Sequence, residues 1–235
     1  MMPNNFKEKL KELNINYTDD MLNKLEVYCN YLIEYNQHTN LTAIKEPEEI
    51  YLKHFYDSLT ITKSIDLNNV DNLLDIGSGA GFPGIVLKIF YPNLKVTILD
   101  SNNKKTKFVE SLVEKLNLKE VTIVNERAED YAKMGKKFDI ITSRAVAYID
   151  IITTLSSYYV HDNSYIILMK GNIDEEINVL NAHKQELNIS SYEIINCNLD
   201  KDNVRNIVKI RINNDIIKVL NYSQIVKRHE KWTSK

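Results

Sequence analysis

The 235-residue sequence contains little cysteine, glycine, proline or tryptophan: two Cys, six Gly, four Pro and one Trp. Cys29 and Cys197 lie far apart, and their spacing fits neither a zinc site nor a redox-active thiol pair. Two isolated thiols in a chain of this length indicate a reducing compartment, where disulfides are rare. We therefore predict two buried free thiols and no metal site.

Long apolar runs are also absent. The first twenty residues mix Lys, Glu, Asn and Asp with isolated apolar positions, which excludes the continuous apolar segment of a signal peptide. No run reaches the roughly 20 residues needed to span a bilayer. The sequence predicts a cytoplasmic protein without a membrane partner.

An excess of basic residues is missing as well. The chain has 30 Lys and Arg against 32 Asp and Glu, which gives a formal net charge of -2 and a pI of about 6.2. Nucleic-acid-binding domains commonly carry a basic excess, so any RNA site here must be a local patch. With 43% hydrophobic residues the chain can bury a substantial core, and we expect about one domain with appendages.

Helical periodicity dominates residues 1–69, which we expect to form an N-terminal helical extension. Phe6 and Leu10 recur at helical spacing, and Thr18 is the predicted N-cap of a second amphipathic helix. Pro47, followed by two glutamates, predicts the start of a third helix, because an acidic first turn interacts favourably with the helix dipole.

From residue 70 the pattern changes to short apolar runs that alternate with helical segments. This alternation is typical of parallel βαβ units, so residues 70–213 are predicted to form a doubly wound, Rossmann-like α/β sheet. Residues 192–197 and 204–212 are expected to pair as an antiparallel hairpin at its edge. Residues 214–235 are left as a C-terminal tail. The predicted parallel strands are Leu73–Ile76, Val96–Leu99, Val121–Val124, Phe138–Thr142 and Tyr165–Met169.

The most informative segment is Asp75–Gly84, which holds four of the six glycines between a predicted strand and a predicted helix. Glycine permits backbone conformations closed to other residues and lets a ligand approach the main chain. Dinucleotide-binding loops have G-x-G-x-x-G spacing, because a pyrophosphate rests on the helix N-terminus. Here Gly77, Gly79 and Gly81 give G-x-G-x-G spacing, which resembles the cofactor loop of methyltransferases.

Charged residues follow the next three predicted strands. Asp100 stands about 23 residues after Gly77, near the spacing at which a carboxylate accepts hydrogen bonds from ribose hydroxyls; the alternative is a helix N-cap. Ala128 and Glu129 follow the third strand, where sheets of this kind usually contact adenine. Arg144 ends the fourth strand and could hold a carboxylate or phosphate through its planar guanidinium, with a surface salt bridge as the alternative.

Several segments together resemble one family, the glucose-inhibited division protein B family of ribosomal RNA small-subunit guanine-N7 methyltransferases. The glycine loop is shared by many methyltransferases, so the two segments ahead of it discriminate best. The resemblance covers about residues 20–171. It is carried by Asn40-Leu41-Thr42-Ala43-Ile44, His54-Phe55-Tyr56-Asp57-Ser58-Leu59, Asp75–Gly84, Arg127-Ala128-Glu129 and Ser143-Arg144-Ala145.

The resemblance implies a class I methyltransferase fold, S-adenosyl-L-methionine as cofactor, and a guanine N7 in 16S ribosomal RNA of the small ribosomal subunit as acceptor. Guanine N7 carries a lone pair and no proton, so no general base is required and no catalytic residue is predicted. The basic, proline-containing tail common in the family is not matched here. The implied cofactor-binding residues are Gly77, Gly79, Phe82, Asp100, Ser101, Asn102, Ala128, Glu129 and Arg144.

The candidates for contacts with the RNA are Asn40, His54, Asp57, Ser58 and Lys170. Three of them stand at i, i+3 and i+4, so one helical face would present an imidazole, a carboxylate and a hydroxyl. The alternatives are a structural polar cluster for that face and a turn residue for Asn40. Lys170 ends the fifth strand, at the edge where ligands bind in such sheets.

Three other functions share parts of this pattern. A small-molecule methyltransferase would have the same cofactor site, and the near-neutral pI slightly favours it. A nicotinamide-dependent oxidoreductase would also place a glycine loop after the first strand, but the glycine spacing argues against it. A non-catalytic, ribosome-associated RNA-binding module could keep the fold without the activity. The sequence leaves open whether the substrate is free RNA or an assembled subunit, and also the oligomeric state.

Overall fold

The computed structural model describes residues 2–201, 203–213 and 219–234. Its central sheet has seven strands in this described part of the chain. They are β1 Asn72–Ile76, β2 Lys95–Leu99, β3 Val121–Val124, β4 Ile140–Arg144, β5 Tyr165–Lys170, β6 Ile189–Asn196 and β7 Asn206–Ile212. The spatial order is β3-β2-β1-β4-β5-β7-β6.

Strands β1 to β5 are parallel, whereas β7 runs antiparallel between β5 and β6. The predicted doubly wound sheet with an antiparallel hairpin at its edge is therefore confirmed. The fourth strand begins at Ile140 and the hairpin at Ile189, a few residues from their predicted starts. Strand ends are the least certain part of a sequence-based assignment, because apolar residues continue into the adjoining turns.

Ten α-helical segments surround this sheet among the described residues. Between α3 and α4 the chain forms a π-helix at Tyr51–Tyr56, so the two short segments and the π-helix make one continuous helical rod. The helices are α1 Phe6–Glu12, α2 Asp19–Thr39, α3 Pro47–Ile50, α4 Asp57–Leu59, α5 Gly84–Phe90, α6 Asn103–Lys115, α7 Ala128–Tyr131, α8 Ile149–Ser157, α9 Asp174–Ala182 and α10 Tyr222–Thr233. No helix in the described ranges is both long and apolar enough to cross a membrane.

Helix α2 has the ends that its sequence predicts. The Thr18 side chain accepts a hydrogen bond from the Met21 amide, which caps the first turn. The helix ends at Asn40, whose φ of 52° is left-handed, a conformation that asparagine tolerates better than most residues. The loop that follows α2 therefore leaves in a fixed direction, toward the π-helix.

Each face of the sheet buries its own apolar core. In β1, Leu73 belongs to the core that includes Phe6 and other residues of the N-terminal helices, whereas Leu74 belongs to the opposite core with α8. Ile225 of α10 is buried in that second core. The predicted division at residues 69/70 and 213/214 stays a prediction; residues 214–218, where the tail begins, lie outside the described residues.

Both cysteines are free and buried, as predicted. Burial raises the pKa of the Cys29 thiol to about 11 and raises that of Cys197 as well, so both remain protonated and unreactive at neutral pH. No group of three or more His, Cys, Asp or Glu side chains in the described part of the chain could hold a metal ion.

The strand order reverses between β1 and β4. The chain adds β2 and β3 on one side of β1 and then adds β4 and β5 on the other side. In open α/β sheets the crevice at the carboxyl ends of such strands is the place where ligands bind. Gly77 follows β1 there, and Ala145 follows β4. The segments singled out from the sequence therefore flank one crevice.

Candidate active site

The glycine loop starts with a residue that has to be glycine. Gly77 has a φ of +68°, and a Cβ at this position would collide with a methyl group of Val146. The Gly77 amide donates to the Leu99 carbonyl at 2.7 Å, so the loop continues the pairing of β1 with β2. Backbone conformation and a close neighbour together restrict this position.

Asp75 holds the loop from beneath. Its carboxylate is fully buried, and Oδ2 accepts from the Ser78 hydroxyl at 2.6 Å and from the Gly84 amide at 2.8 Å. Burial is the largest effect on this carboxyl and raises its pKa to about 6, although both hydrogen bonds oppose the shift. Asp75 is therefore a structural clamp between the two ends of the loop.

Asp100 braces the same loop from the end of β2. One oxygen of its carboxylate accepts from the Gly79 amide at 2.9 Å, and the other accepts from the Asn102 amide at 2.8 Å. The N-cap of α6 is Asn102, whose side chain accepts from the Lys104 amide at 3.0 Å. Asp100 is thus not that helix's N-cap, which was the alternative interpretation of this residue.

A first cavity of about 300 Å³ opens beside Gly77, at the lower end of the range for small-molecule sites. It brings together five of the nine predicted cofactor residues: Gly77, Asp100, Ser101, Ala128 and Glu129. Its wall also contains Ile76, Leu99, Lys105, Glu126, Arg127, Ala145, Val146, Ala147, Leu155 and Tyr222. The predicted residues Gly79, Phe82, Asn102 and Arg144 do not line it.

Phe82 belongs to the glycine loop, but its ring lies behind the loop and lines neither cavity. Its ring stacks on Tyr28 at 5.2 Å between centroids and on His54 at 4.4 Å. The Tyr28 hydroxyl donates to the Ala80 carbonyl, so this aromatic column also fixes the loop backbone. The column connects the glycine loop mechanically to the π-helix.

A second cavity of about 600 Å³ lies on the other side of the loop that follows β4. Three residues, Ala145, Val146 and Ala147, line both cavities. The other wall residues are Ile44, Lys53, His54, Asp57, Arg144, Tyr148, Met169, Lys170, Gly171, Glu176 and Arg205. The two cavities therefore meet at a shared three-residue wall.

In the wall of the second cavity, Arg144 links three other wall residues. Its Nη1 donates to the Lys53 carbonyl at 3.0 Å and to Asp57 Oδ2 at 3.1 Å, and its Nη2 lies 3.1 Å from His54 Nδ1. The guanidinium also lies over the Phe82 ring, at 5.1 Å from its centroid. Arg144 and Asp57 are both largely buried. Their ion pair is therefore not a surface salt bridge, which was the alternative interpretation of Arg144.

The contacts of His54 fix its protonation. A guanidinium only donates, so Nδ1 must accept from Arg144, and Nε2 must then carry the hydrogen that reaches Thr42 Oγ1 at 2.9 Å. Burial, followed by repulsion from Arg144, lowers the pKa of the imidazole to about 3. His54 is therefore neutral at physiological pH, with both nitrogens engaged.

The Asn-Leu-Thr segment contacts the wall residue His54 through Thr42, not through Asn40. Asn36, in the last turns of α2, accepts from the amides of Leu41 and Thr42 and donates to the Thr42 carbonyl at 2.8 Å. Asn40 itself is exposed, forms the left-handed end of α2 and lines neither cavity. The turn interpretation explains Asn40, whereas no sequence pattern points to Asn36.

The remaining predicted RNA candidates are held inside the protein. Ser58 is fully buried and donates to the His54 carbonyl at 2.6 Å, so only two of the three residues on the predicted helical face point to Arg144. Lys170 lines the second cavity, but its ammonium bonds to the Ala147 carbonyl and to Glu176, both at 2.6 Å. This pair holds the loop that separates the two cavities.

Arg205 was missed by the sequence analysis. Its Nε donates to Asp57 Oδ2 at 3.2 Å, so one carboxylate oxygen binds two arginines from distant segments. Arg205 stands just before β7, in a hairpin whose pattern predicts strands but no ligand site. Only the placement of that hairpin next to β5 brings it to the cavity.

Fold and site together define the class of the protein. The sheet order departs from the dinucleotide-binding order by an antiparallel strand beside β5, and the loop after β1 has G-x-G-x-G spacing. The first cavity offers Gly77 for close approach and the carboxylates of Asp100 and Glu129 for hydroxyl groups. These residues fit an adenosyl cofactor, and the protein is a methyltransferase that uses S-adenosylmethionine.

The comparisons with known proteins specify the family. Residues 21–228 match the model of the GidB family, described as rRNA small subunit methyltransferase G. The chain is 46% identical over 182 residues to the Ribosomal RNA small subunit methyltransferase G of Mycoplasma capricolum, covering 77% of this chain and 78% of that one. The protein of the same name from Bacillus subtilis is 38% identical over 88% of each chain. This chain belongs to the GidB family.

Solved structures with similar folds are much more distant in sequence. A precorrin-6y C5,15-methyltransferase from Geobacter metallireducens aligns with a TM-score of 0.52 at 15% identity, over 67% of this chain and 88% of that one. The structure of MtNAS in complex with MTA and tNA aligns with a TM-score of 0.54 at 15% identity, over 81% and 73%. At such identities these likenesses support the fold alone.

Proposed function

We propose that this protein transfers a methyl group from S-adenosylmethionine to N7 of a guanine in 16S ribosomal RNA of the small ribosomal subunit. Membership of the GidB family and the names of the relatives support ribosomal RNA as the substrate. A substrate of this kind implies that the protein acts in the cytoplasm. The first cavity holds the cofactor, and the second receives the acceptor base.

The observation that carries this proposal is that, among the described residues, every imidazole and carboxylate in the wall of the second cavity is already paired with a cationic side chain. Three described residues of its wall carry an imidazole or a carboxylate, and each of these side chains is engaged. Nδ1 of His54 accepts from Arg144, Asp57 pairs with two arginines, and Glu176 pairs with Lys170. An acceptor hydroxyl or ammonium would have to lose a proton, whereas guanine N7 presents a lone pair and has none to lose.

The charge of the second cavity suits a nucleotide. Arg144 and Arg205 share one carboxylate, that of Asp57, and His54 is neutral, so this cluster keeps one net positive charge. Guanidinium groups recognise phosphate and the O6 edge of guanine through paired hydrogen bonds. The overall net charge of -2 does not oppose this, because phosphate attraction needs only a local cluster.

Asp57 supplies the matching negative group. Methylation at N7 leaves a positive charge on the purine ring, and a buried carboxylate in the wall stabilises charge of that sign as it develops. Its Oδ1 is buried and has no hydrogen-bond partner in the described structure. An unpaired buried acceptor of this kind costs about 1–3 kcal/mol, which a donor from a bound base would offset.

In the first cavity the roles follow from chemical type. S-adenosylmethionine supplies an electrophilic methyl group on a sulfonium. Gly77 leaves room for a ligand at the main chain, while Asp100 and Glu129 accept hydrogen bonds from hydroxyl groups. Asp100 is already bonded to the Gly79 amide, so its carboxylate is oriented before any ligand binds.

The shared wall determines where the two substrates meet. Ala145, Val146 and Ala147 border both cavities, and Lys170 and Glu176 fix this loop from the second side. With no proton to transfer, the contribution of the protein is alignment and exclusion of water. Holding two reactants in attack geometry lowers the barrier by up to about 7–11 kcal/mol.

The test is methyl transfer from radiolabelled S-adenosylmethionine to small ribosomal subunits isolated from cells that lack this enzyme, followed by mapping of the labelled nucleotide. The wild-type protein is expected to label one guanine at N7, and Gly77→Asp is expected to label none. Free 16S RNA, assayed in parallel, decides between naked RNA and assembled subunit as the substrate.

Two outcomes would contradict the proposal. Label at an atom other than guanine N7 would make the acceptor assignment wrong. Tight cofactor binding without label on either RNA or subunits would favour a small-molecule acceptor or a non-catalytic RNA-binding role. Both alternatives keep the first cavity and differ only in the second.

A further inference from the structure

The C-terminal helix α10 is docked on the body of the protein. Ile225 is fully buried in the core that faces α8. His229 Nδ1 lies 3.0 Å from Oδ1 of Asp150, a fully buried residue, and the Arg228 guanidinium contacts the Thr154 hydroxyl. These contacts, distributed along α10, hold it against α8.

The start of α10 is fixed by its own sequence. The Asn221 side chain accepts from the Gln224 amide at 2.9 Å, and the Gln224 side chain accepts from the Asn221 amide at 3.0 Å. Such a capping box stabilises a helix start by about 1 kcal/mol. The Leu220 amide also donates to the Tyr158 hydroxyl at 3.1 Å. The first helical residue, Tyr222, is therefore held in a defined place.

That place is the wall of the first cavity. Tyr222 lines it together with Ala128 and Leu155, and the residue is 40% exposed. The Arg127 guanidinium lies over the same ring, 5.8 Å from its centroid. Arg127 directly precedes α7, so Tyr222 stands at the end of the cavity that follows β3.

We propose that Tyr222 binds the adenine of the cofactor, and that α10 completes the cofactor pocket. The proposal rests on the proposed cofactor site. The cavity extends along the sheet edge from Gly77 after β1, past Asp100 after β2, to the residues after β3. If the Asp100 carboxylate holds the ribose, the base lies on the side away from Gly77, where the Tyr222 ring offers a flat aromatic face.

The size of the effect follows from aromatic stacking. Stacking of a base on an aromatic side chain changes affinity by about tenfold or more when the ring is removed. Among the described residues, the hydroxyl of Tyr222 has no hydrogen-bond partner. The aromatic ring is therefore the functional part of this side chain. Tyr222→Phe is therefore the matched control for Tyr222→Ala.

The experiment measures the Kd of S-adenosylhomocysteine and of 5′-methylthioadenosine, by calorimetry, on the full-length protein. Tyr222→Ala is expected to weaken both ligands by about tenfold, while Tyr222→Phe stays within twofold of wild type. Equal weakening of the two ligands places the loss at the adenosine part, because the second ligand lacks the amino acid. Affinity of Tyr222→Ala equal to wild type overturns the proposal.

The docking of α10 has its own reporter. Trp232 is the only tryptophan of the chain, and it stacks on His183 at 3.9 Å between ring centroids. A native Trp232 emission spectrum in Tyr222→Ala confirms that α10 is still docked. If the spectrum changes, Tyr222→Leu takes over the test, since it keeps an apolar side chain and removes the aromatic face; wild-type affinity in that variant overturns the proposal.

Failure of this inference is distinguishable from failure of the proposed function. A wild-type protein that binds neither ligand contradicts the cofactor site as a whole. Tight ligand binding by the wild type, unchanged in Tyr222→Ala, rejects only the role of Tyr222. If Tyr222→Ala shows the expected loss of affinity but the wild type transfers no methyl group to RNA, Tyr222 keeps its place in the cofactor pocket. That result rejects only the proposed RNA acceptor.

Discussion

The two cavities on either side of the loop at 145–147 are built in different ways. The first is formed mainly by residues that directly follow the strands β1, β2 and β3, and its backbone is set by Asp75 and Asp100. The second is formed by side chains from distant segments that converge on Arg144. In the proposed function, local motifs would bind the cofactor in the first cavity, and side chains brought together by the tertiary structure would bind the acceptor in the second.

The two cavities also differ in how charge is held. Asp100 accepts hydrogen bonds from backbone amides, whereas Asp57 accepts them from two arginine side chains. The backbone amides that bind Asp100 are held in place by the loop itself. The charge balance around Asp57, in contrast, depends on each arginine side chain of the cluster. Changes in the first cavity should therefore affect cofactor affinity, and changes in the second should affect stability and the acceptor together.

The largest expected effect comes from breaking the first cavity at Gly77. Gly77→Ala forces a Cβ against Val146 in a left-handed conformation, so the loop has to move. A misplacement of about 1 Å is enough to reduce activity on the order of a hundredfold. We expect methyl transfer and S-adenosylhomocysteine affinity to fall together, measured by the label assay and by calorimetry.

Gly135→Ala is the control for backbone strain. Gly135 has a nearly identical φ of +66° and nothing within 4 Å of an added Cβ. It should destabilise the protein by about 1–2 kcal/mol and leave cofactor affinity unchanged. Equal loss of affinity in both variants would show that general strain, not the loop, is responsible.

The second cavity can be broken by removing its central cation. Arg144→Met leaves the buried Asp57 carboxylate with Arg205 alone, and loss of one partner of a buried ion pair costs about 3 kcal/mol. Adding Asp57→Asn removes the buried carboxylate that has lost one of its two arginines, so the double variant should lose less stability than the sum of the two single variants. Denaturant titration of the four proteins measures the coupling, which we expect to be about 1–3 kcal/mol.

Coupling near zero in that cycle would contradict the account of the cluster. It would mean that Arg144 and Asp57 contribute independently, as residues in an exposed pair do. Methyl transfer should remain low in the double variant even where stability returns, because neither the guanidinium nor the carboxylate is present. Recovery of transfer together with stability would assign both residues a purely structural role.

A pH titration sharpens the comparison through His54. The folded state lowers the pKa of His54 from 6.5 to about 3, so the unfolded chain takes up a proton first as the pH falls. Stability is therefore lost below the unfolded value. Between pH 7 and pH 5 the wild type should lose about 2 kcal/mol relative to His54→Asn. Parallel stability curves for the two proteins over this range would disprove the burial of a neutral imidazole.

The smallest effect is expected at the wall between the cavities. Lys170→Met removes a charged hydrogen bond to Ala147 and the largely buried pair with Glu176, at a cost of about 1–2 kcal/mol. Lys133→Met is the matched control, because its pair with Asp130 is mostly exposed and should contribute less than about 1 kcal/mol. Thermal unfolding of both variants measures the difference, and equal losses would contradict a special role for the wall.

The sheet, its hairpin and five of the residues that line the first cavity follow from local sequence patterns. Apolar periodicity predicts the strands, and parallel strands bring Gly77, Asp100 and Ala128 to the same edge whatever the details of packing. Phe82 lies in the glycine loop but points away from the cavity, toward Tyr28 and His54. Sequence identifies the loop, but side-chain direction within a loop depends on the surrounding packing.

The second cavity could be predicted only in part. His54 and Asp57 lie three residues apart on a helical rod, and that spacing correctly predicts a common direction. Arg205 and Tyr222 have no local signal, because each reaches its cavity only through the placement of the hairpin or of α10. The position of Lys170 at the end of the fifth strand predicts an RNA contact, and no sequence pattern shows that Glu176 pairs with it.

The most direct test of the division between the cavities uses Arg144→Lys, which keeps the charge but cannot reach Lys53, Asp57 and His54 together. Calorimetry gives the Kd of S-adenosylhomocysteine, and the label assay gives kcat and KM for small ribosomal subunits. We predict an unchanged Kd with a large loss of methyl transfer. A Kd that rises as much as transfer falls would place Arg144 in the cofactor site and contradict the account.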